Sequence, residues 1–157
     1  MFKGTVVSLH IAPAAEAEMQ MIAEAHAVPG LGLEGDRYFQ QTGTFSLPQP
    51  DRELTLIESE AIEAFRSELG LDVDAGFSRR NIVTRDVPLN HLVGREFLIG
   101  EVRVRGLKLC EPCKHLARIS RPGVLPGLVH RGGLRAQILT EGTIRPGAVV
   151  CEVNGER

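Results

Sequence analysis

The chain has 157 residues, 43% hydrophobic and 24% charged, with a formal net charge of -2. That size and balance fit one globular domain over residues 1–157, large enough to bury a core without disulfides. A general nucleic-acid binder would be basic, and no apolar run approaches the ~20 residues of a membrane-spanning helix.

The N-terminal residues 1–7 lack the apolar run of a signal peptide. A cytoplasmic protein with reduced thiols is therefore expected, with no nucleic-acid or membrane partner. Only three of the 18 basic residues are lysine (Lys3, Lys108, Lys114), and the others are arginine. A GC-rich genome explains that bias as well as function does, so arginines count only where they cluster in motifs.

In chain order, residues 1–10 read as a strand that ends before Pro13. Residues 19–28 carry Met19, Met21, Ala23, Ala25 and Ala27 in alternation with mostly polar neighbours, which favours a strand over a helix. Residues 53–57 read as a strand leading into a helix over residues 58–69. There Ile57, Ala61, Ile62, Phe65 and Leu69 fall near helical spacing, and Gly70 is a stop. Residues 81–84, 96–99 and 102–109 read as strands, with Gly100 at the turn between the last two. Pro112 suits the first turn of a helix over residues 113–119, because its missing N–H would be unpaired there anyway. Residues 134–139 and 148–153 read as strands around a turn at residues 143–147. Many short strands with two or three short helices favour a mainly β fold, a barrel with appended helices, over a doubly wound sheet.

Gly30-Leu31-Gly32-Leu33-Glu34-Gly35 fits the dinucleotide pattern G-x-G-x-x-G. That fingerprint needs a strand before it and a helix opening within it. Pro29 and Asp36-Arg37-Tyr38 deny it both, so a glycine-rich turn is the reading, with Arg37 able to present a fork of donors to an anion. Arg79-Arg80-Asn81 is expected to open a strand, where two adjacent arginines face opposite sides and at most one meets a pocket. The alternative is a solvated strand end. Arg131-Gly132-Gly133-Leu134-Arg135 sets cations beside glycines whose N–H groups can face an anion. Three such corners in one small domain make an anion-binding cleft plausible.

Cys110-Glu111-Pro112-Cys113 is a C-x-x-C followed by Lys114 and His115. Structural zinc wants four ligands, usually from two such pairs, and a thioredoxin-like pair wants a βαβ setting. Two readings stay open. Either both cysteines are buried as small hydrophobes, or Cys113 is reactive. In a helix's first turn, beside Lys114 and His115, its thiolate would be stabilised as a nucleophile and soft metal ligand. Cys151 is expected to be buried and inert, and His10, His26 and His91 to be structural or superficial. His130, next to Arg131, is a candidate for the cleft.

Taken together and in order, several of these segments resemble the MOSC domain, named for the C-terminal part of molybdenum cofactor sulfurase. They are residues 32–38, 56–61, 79–84, 89–94, Cys110-Glu111-Pro112-Cys113 and residues 130–135. The resemblance runs from about Met1 to Val153, and the chain resembles the stand-alone bacterial members. It implies a MOSC-type β-barrel and a cysteine that works on sulfur or molybdenum, with Pro112-Cys113 as the matching pair. It implies molybdenum cofactor (molybdopterin) as the cofactor, with Cys113 as molybdenum ligand or as a persulfide sulfur carrier. It also implies possible reduction of N-hydroxylated compounds. Arg37, Arg80 and Arg131, with Asn81, Gly132 and Gly133 beside them, are then candidates to hold the pterin phosphate. A cysteine desulfurase or an electron-donor protein would be the partner. The alternative is a non-catalytic module that binds a phosphorylated small molecule or delivers sulfur.

Overall fold

The computed structural model describes residues 1–14, 16–39, 52–70, 75–111, 128 and 130–153. The first strand, β1 (Lys3–Ile11), begins with period-two burial, Gly4 and Val6 in and Lys3, Thr5 and Val7 out. A register shift between Val6 and Ser8 then adds one residue. As a result Val6 and Leu9, three positions apart, both join the core, as a β-bulge requires.

The remaining strands are β2 (Gln20–Ile22), β3 (Ala25–Val28), β4 (Gly32–Leu33), β5 (Leu54–Glu58), β6 (Ile82–Arg85), β7 (Glu96–Ile99), β8 (Val102–Leu109), β9 (Leu134–Ile138), β10 (Gly142–Ile144) and β11 (Val149–Glu152). Seven of them close a barrel in the order β1-β11-β7-β8-β9-β5-β6 and back to β1. Closure removes exposed sheet edges. The expected mainly β barrel is the observed fold. Every pair in the barrel is antiparallel except β5–β6. A parallel pair needs a crossover, and helix α1 (Ser59–Leu69) supplies it. The helix lays Ala61, Ile62 and Phe65 on Ile57, Val83 and Phe77 outside the barrel, and Gly70 ends it in the left-handed conformation at φ 63°.

The inside of the barrel is apolar, with Leu9, Leu54, Leu56, Ile82, Phe97, Val104, Leu134 and Val150 in one buried cluster. A second sheet, β10-β3-β4, stands beside it. Glu53 joins the two: its buried Oε1 accepts the Gly30 and Ile138 N–H groups, each at 3.1 Å. Burial pushes the Glu53 carboxyl above its ordinary range, and those two N–H groups pull partly against that.

Four expectations need correction. Residues 19–28 form two strands, β2 and β3, broken at Ala23 and Glu24. Gly32–Leu33 forms strand β4 rather than only a turn, and it pairs with β3. The close approach is why Gly32 is needed: it sits at φ 115°, and a Cβ would lie 2.8 Å from the Glu53 carbonyl. Residues 142–144 are also strand, so the turn before β11 starts later than the sequence suggests. Arg79 and Arg80 lie outside β6, which begins at Ile82. The expected helix at residues 113–119 lies outside the described residues.

Gly133 tests how tightly the barrel end is packed. It holds φ 108°, and a Cβ there would overlap the Leu56 carbonyl oxygen. Gly133→Ala should lower unfolding free energy by more than about 3 kcal/mol, whereas Gly30→Ala, at φ 81° with open space around it, should cost only about 1 kcal/mol. Urea denaturation of the two variants checks the difference.

Candidate anion-binding site

The site is built on Asn81. Its backbone N–H donates to the Thr55 carbonyl at 3.1 Å, and its carbonyl accepts the His10 N–H at 2.7 Å. Its side chain repeats the pattern. Oδ1 accepts from the Thr55 N–H and hydroxyl, both at 3.1 Å, and Nδ2 donates to the His10 carbonyl at 3.1 Å. Asn81 thus locks β1, β5 and the entry to β6 together, and its amide is spent on that frame.

Just before it, Ala75–Ser78 forms a 3-10 turn, which closes when the Arg79 N–H bonds the Gly76 carbonyl at 3.0 Å. Arg79 follows at φ 61°, a left-handed conformation that costs a non-glycine residue about 1–2 kcal/mol. The sequence argument that the two arginines alternate across a strand therefore fails. Neither is a solvated strand end, since Arg79 is 8% and Arg80 6% exposed.

The two guanidiniums have different partners. Arg79 Nη1 donates to the Ala17 carbonyl at 2.5 Å. Arg37, itself 7% exposed, donates from Nη2 to the Arg79 carbonyl at 3.3 Å and from Nη1 to Asp36 Oδ1 at 3.2 Å. Its guanidinium also lies 4.6 Å from the centre of the Tyr38 ring. Burial and then the charge of Arg37 push the Arg79 pKa below its ordinary value, against the pull of Tyr38, Asp36 and Glu16. Arg80 turns elsewhere. Its Nε donates to the Gly132 carbonyl and its Nη2 to the Cys110 carbonyl, both at 2.8 Å.

Asp36 is fully buried. Its Oδ1 accepts the Ala12 N–H at 3.0 Å, while Oδ2 has no hydrogen-bond partner among the described residues. This corner therefore sets two buried guanidiniums, from Arg37 and Arg79, beside one buried carboxylate, while the buried Arg80 bonds the Gly132 and Cys110 carbonyls instead. Buried charge normally comes paired, because desolvation is costly. An excess of planar cationic forks in a dry place suits a phosphate or carboxylate.

Arg80 also anchors both ends of the segment that carries Cys113. The chain leaves β8 through Cys110 and Glu111 and returns through residues 130–133. The buried Cys110 donates its N–H to the Gly133 carbonyl at 2.7 Å. Glu111 accepts the His130 N–H at 2.8 Å and faces His130 Nδ1 at 3.2 Å. Cys113, Lys114 and His115 lie outside the described residues.

The remaining candidates fall elsewhere. Arg131 makes a two-pronged ion pair with Glu68 on α1, at 3.2 and 2.6 Å. His130 is largely exposed, and Cys151 is only half-buried. His10 is buried against Ser8, and His26 pairs with Glu141 at the surface. Sequence reasoning missed Asp36 and set Arg79 aside. The signal for Asp36 was present in its place beside Arg37, since a buried arginine calls for a carboxylate.

Residues 35–151 match the MOSC domain family. The fold is similar to the crystal structure of the YuaD protein from Bacillus subtilis, 13% identical over 96% of this chain and 97% of that one, with a TM-score of 0.78. It is also similar to YiiM from Geobacillus stearothermophilus, 18% identical over 96% and 75% of the two chains, with a TM-score of 0.72. YiiM from Escherichia coli is 21% identical over 99% and 71%, with a TM-score of 0.65. No curated protein matches the chain. At these identities the structures speak to the fold alone. The family match takes in Asp36-Arg37, Arg79-Arg80 and the Cys110–Cys113 motif, and the chain belongs to the MOSC domain family.

Proposed function

We propose that this MOSC protein binds molybdenum cofactor, with Arg37 and Arg79 at the phosphate of its pterin and Cys113 as the thiolate that ligates molybdenum or carries persulfide sulfur. The observation that carries this reading is the excess of buried positive charge: the guanidiniums of Arg37 and Arg79 against the carboxylate of Asp36. A phosphate would balance that charge, and arginine forks match its geometry.

Arg80 holds Gly132 beside Cys110, whose N–H in turn bonds the Gly133 carbonyl. In this reading Arg80 fixes the ends of the Cys113 segment. Asn81 fixes the frame, and Arg131 serves the pairing with α1. When bound, the cofactor supplies a metal centre for oxygen or sulfur transfer, for which N-hydroxylated compounds are one substrate class. An electron-donor protein or a cysteine desulfurase would complete the cycle. A binding module for a phosphorylated small molecule is the second reading. The same buried arginines favour it, since they ask only for an anion.

Protein purified anaerobically from a host that makes molybdenum cofactor should contain near-stoichiometric molybdenum, and Cys113→Ala should contain none. Metal-free wild type would overturn the metal-binding reading. An added sulfur on Cys113 in intact mass would then leave the carrier. Arg79→Gln should keep the fold and lose about tenfold or more in molybdenum occupancy, as a lost charge-assisted phosphate contact requires. Arg131→Gln should load normally. Equal loading of all three proteins would remove Arg79 from the site.

A further inference from the structure

A second site lies away from the buried arginines, where the segment leading into β7 crosses β8. Gly94 N–H donates to the Gly106 carbonyl at 2.8 Å, and Gly106 N–H donates to the Arg95 carbonyl at 2.9 Å. The two segments touch so closely that a Cβ at Gly106 would overlap the Leu92 carbonyl. Beside this crossing is a cavity of about 550 Å³, within the size range of small-ligand pockets. Leu92 and Val153 give it apolar wall, and Arg95, Arg105, Glu96 and Glu152 give it charge.

Most of these charges already have partners. Glu96 takes Arg103 Nε at 2.5 Å and also Arg105. Glu152 lies 3.8 Å from the Met1 amino group. Arg95 differs: its guanidinium forms no hydrogen bond or ion pair with any described residue, although it lines the cavity. Glu96 and Glu152 would repel a dianion, so a phosphate is disfavoured. One carboxylate on an apolar body matches the single spare fork and the Leu92–Val153 wall.

We propose that this cavity binds a small monocarboxylic acid, its carboxylate on Arg95 and its apolar part against Leu92 and Val153. None of these residues belongs to the molybdenum-cofactor reading, so the two stand or fall separately.

Hexanoate, hexanamide and inorganic phosphate, titrated into the full chain and followed by amide NMR, test it. Hexanoate should give saturable shifts at Gly94, Arg95 and Val153. Hexanamide, and hexanoate with Arg95→Gln, should bind about tenfold or more weakly, as expected for loss of a charged hydrogen-bond pair. Arg95→Lys should retain part of the affinity, and phosphate should leave these amides unmoved. Arg95 is exposed, so both variants should melt like the wild type. Absence of saturable shifts at these amides would overturn the proposal, as would equal binding of hexanamide, binding indifferent to Arg95→Gln, or phosphate binding as well as hexanoate.

Discussion

The doubled pairing of Asn81 with Thr55 and His10 is the constraint on which the rest of the structure depends. β1 reaches three neighbours, with β11 at its start, β6 through its middle and β2 at its end. β5 and β6 run parallel and meet only through a helical crossover. Asn81 ties β5 and β1 where β6 begins, using side chain and backbone alike. With that point fixed, the chain before it can close a 3-10 turn and hold Arg79 left-handed. Two adjacent arginines are then both buried, each on its own partners. At Arg79 the cost of that conformation is offset by the hydrogen bonds of its N–H, its carbonyl and its guanidinium.

The charge arrangement follows from this geometry. Arg37 stacks on Tyr38, pairs with Asp36 and holds the Arg79 carbonyl. Arg79 is left near a like charge, with the Ala17 carbonyl as its guanidinium's hydrogen-bond acceptor among the described residues. Arg80 spends two donors on the carbonyls of Cys110 and Gly132, the two ends of the segment that includes Cys113. One pair of neighbouring residues therefore does two jobs, with Arg79 offering charge and Arg80 fixing chain. The bulge in β1 works on the other side of the same joint, turning Val6 and Leu9 inward and bringing Ser8 and His10 to a shared buried contact at 2.8 Å.

Much of the barrel was legible in the sequence, because strand burial has a period of two and the helix from Ser59 to Leu69 has its own spacing and glycine stop. Residues 96–99 and 102–109 were read to the residue, with Gly100 at their turn. The short strands at Gly32–Leu33 and Gly142–Ile144 were not legible, since two or three residues carry no period and pair only because the barrel brings β3 to them. The cluster of buried arginines was half legible. Arg37 and Arg80 stood out beside glycine and asparagine. Arg79 was discounted by a rule for strands that does not hold in a left-handed turn. Arg131 looked equivalent in sequence, yet its partner, Glu68, lies 63 positions away and only the fold shows it.

The proposed site asks that Arg37 and Arg79 take an anion. Thermal unfolding in phosphate and in chloride at equal ionic strength tests it most directly, on wild type and Arg79→Gln. The wild-type melting temperature should climb with phosphate concentration, as binding to the folded state alone requires. The variant should melt at one temperature in both salts. Equal phosphate dependence in the two proteins, or none in the wild type, would contradict the account.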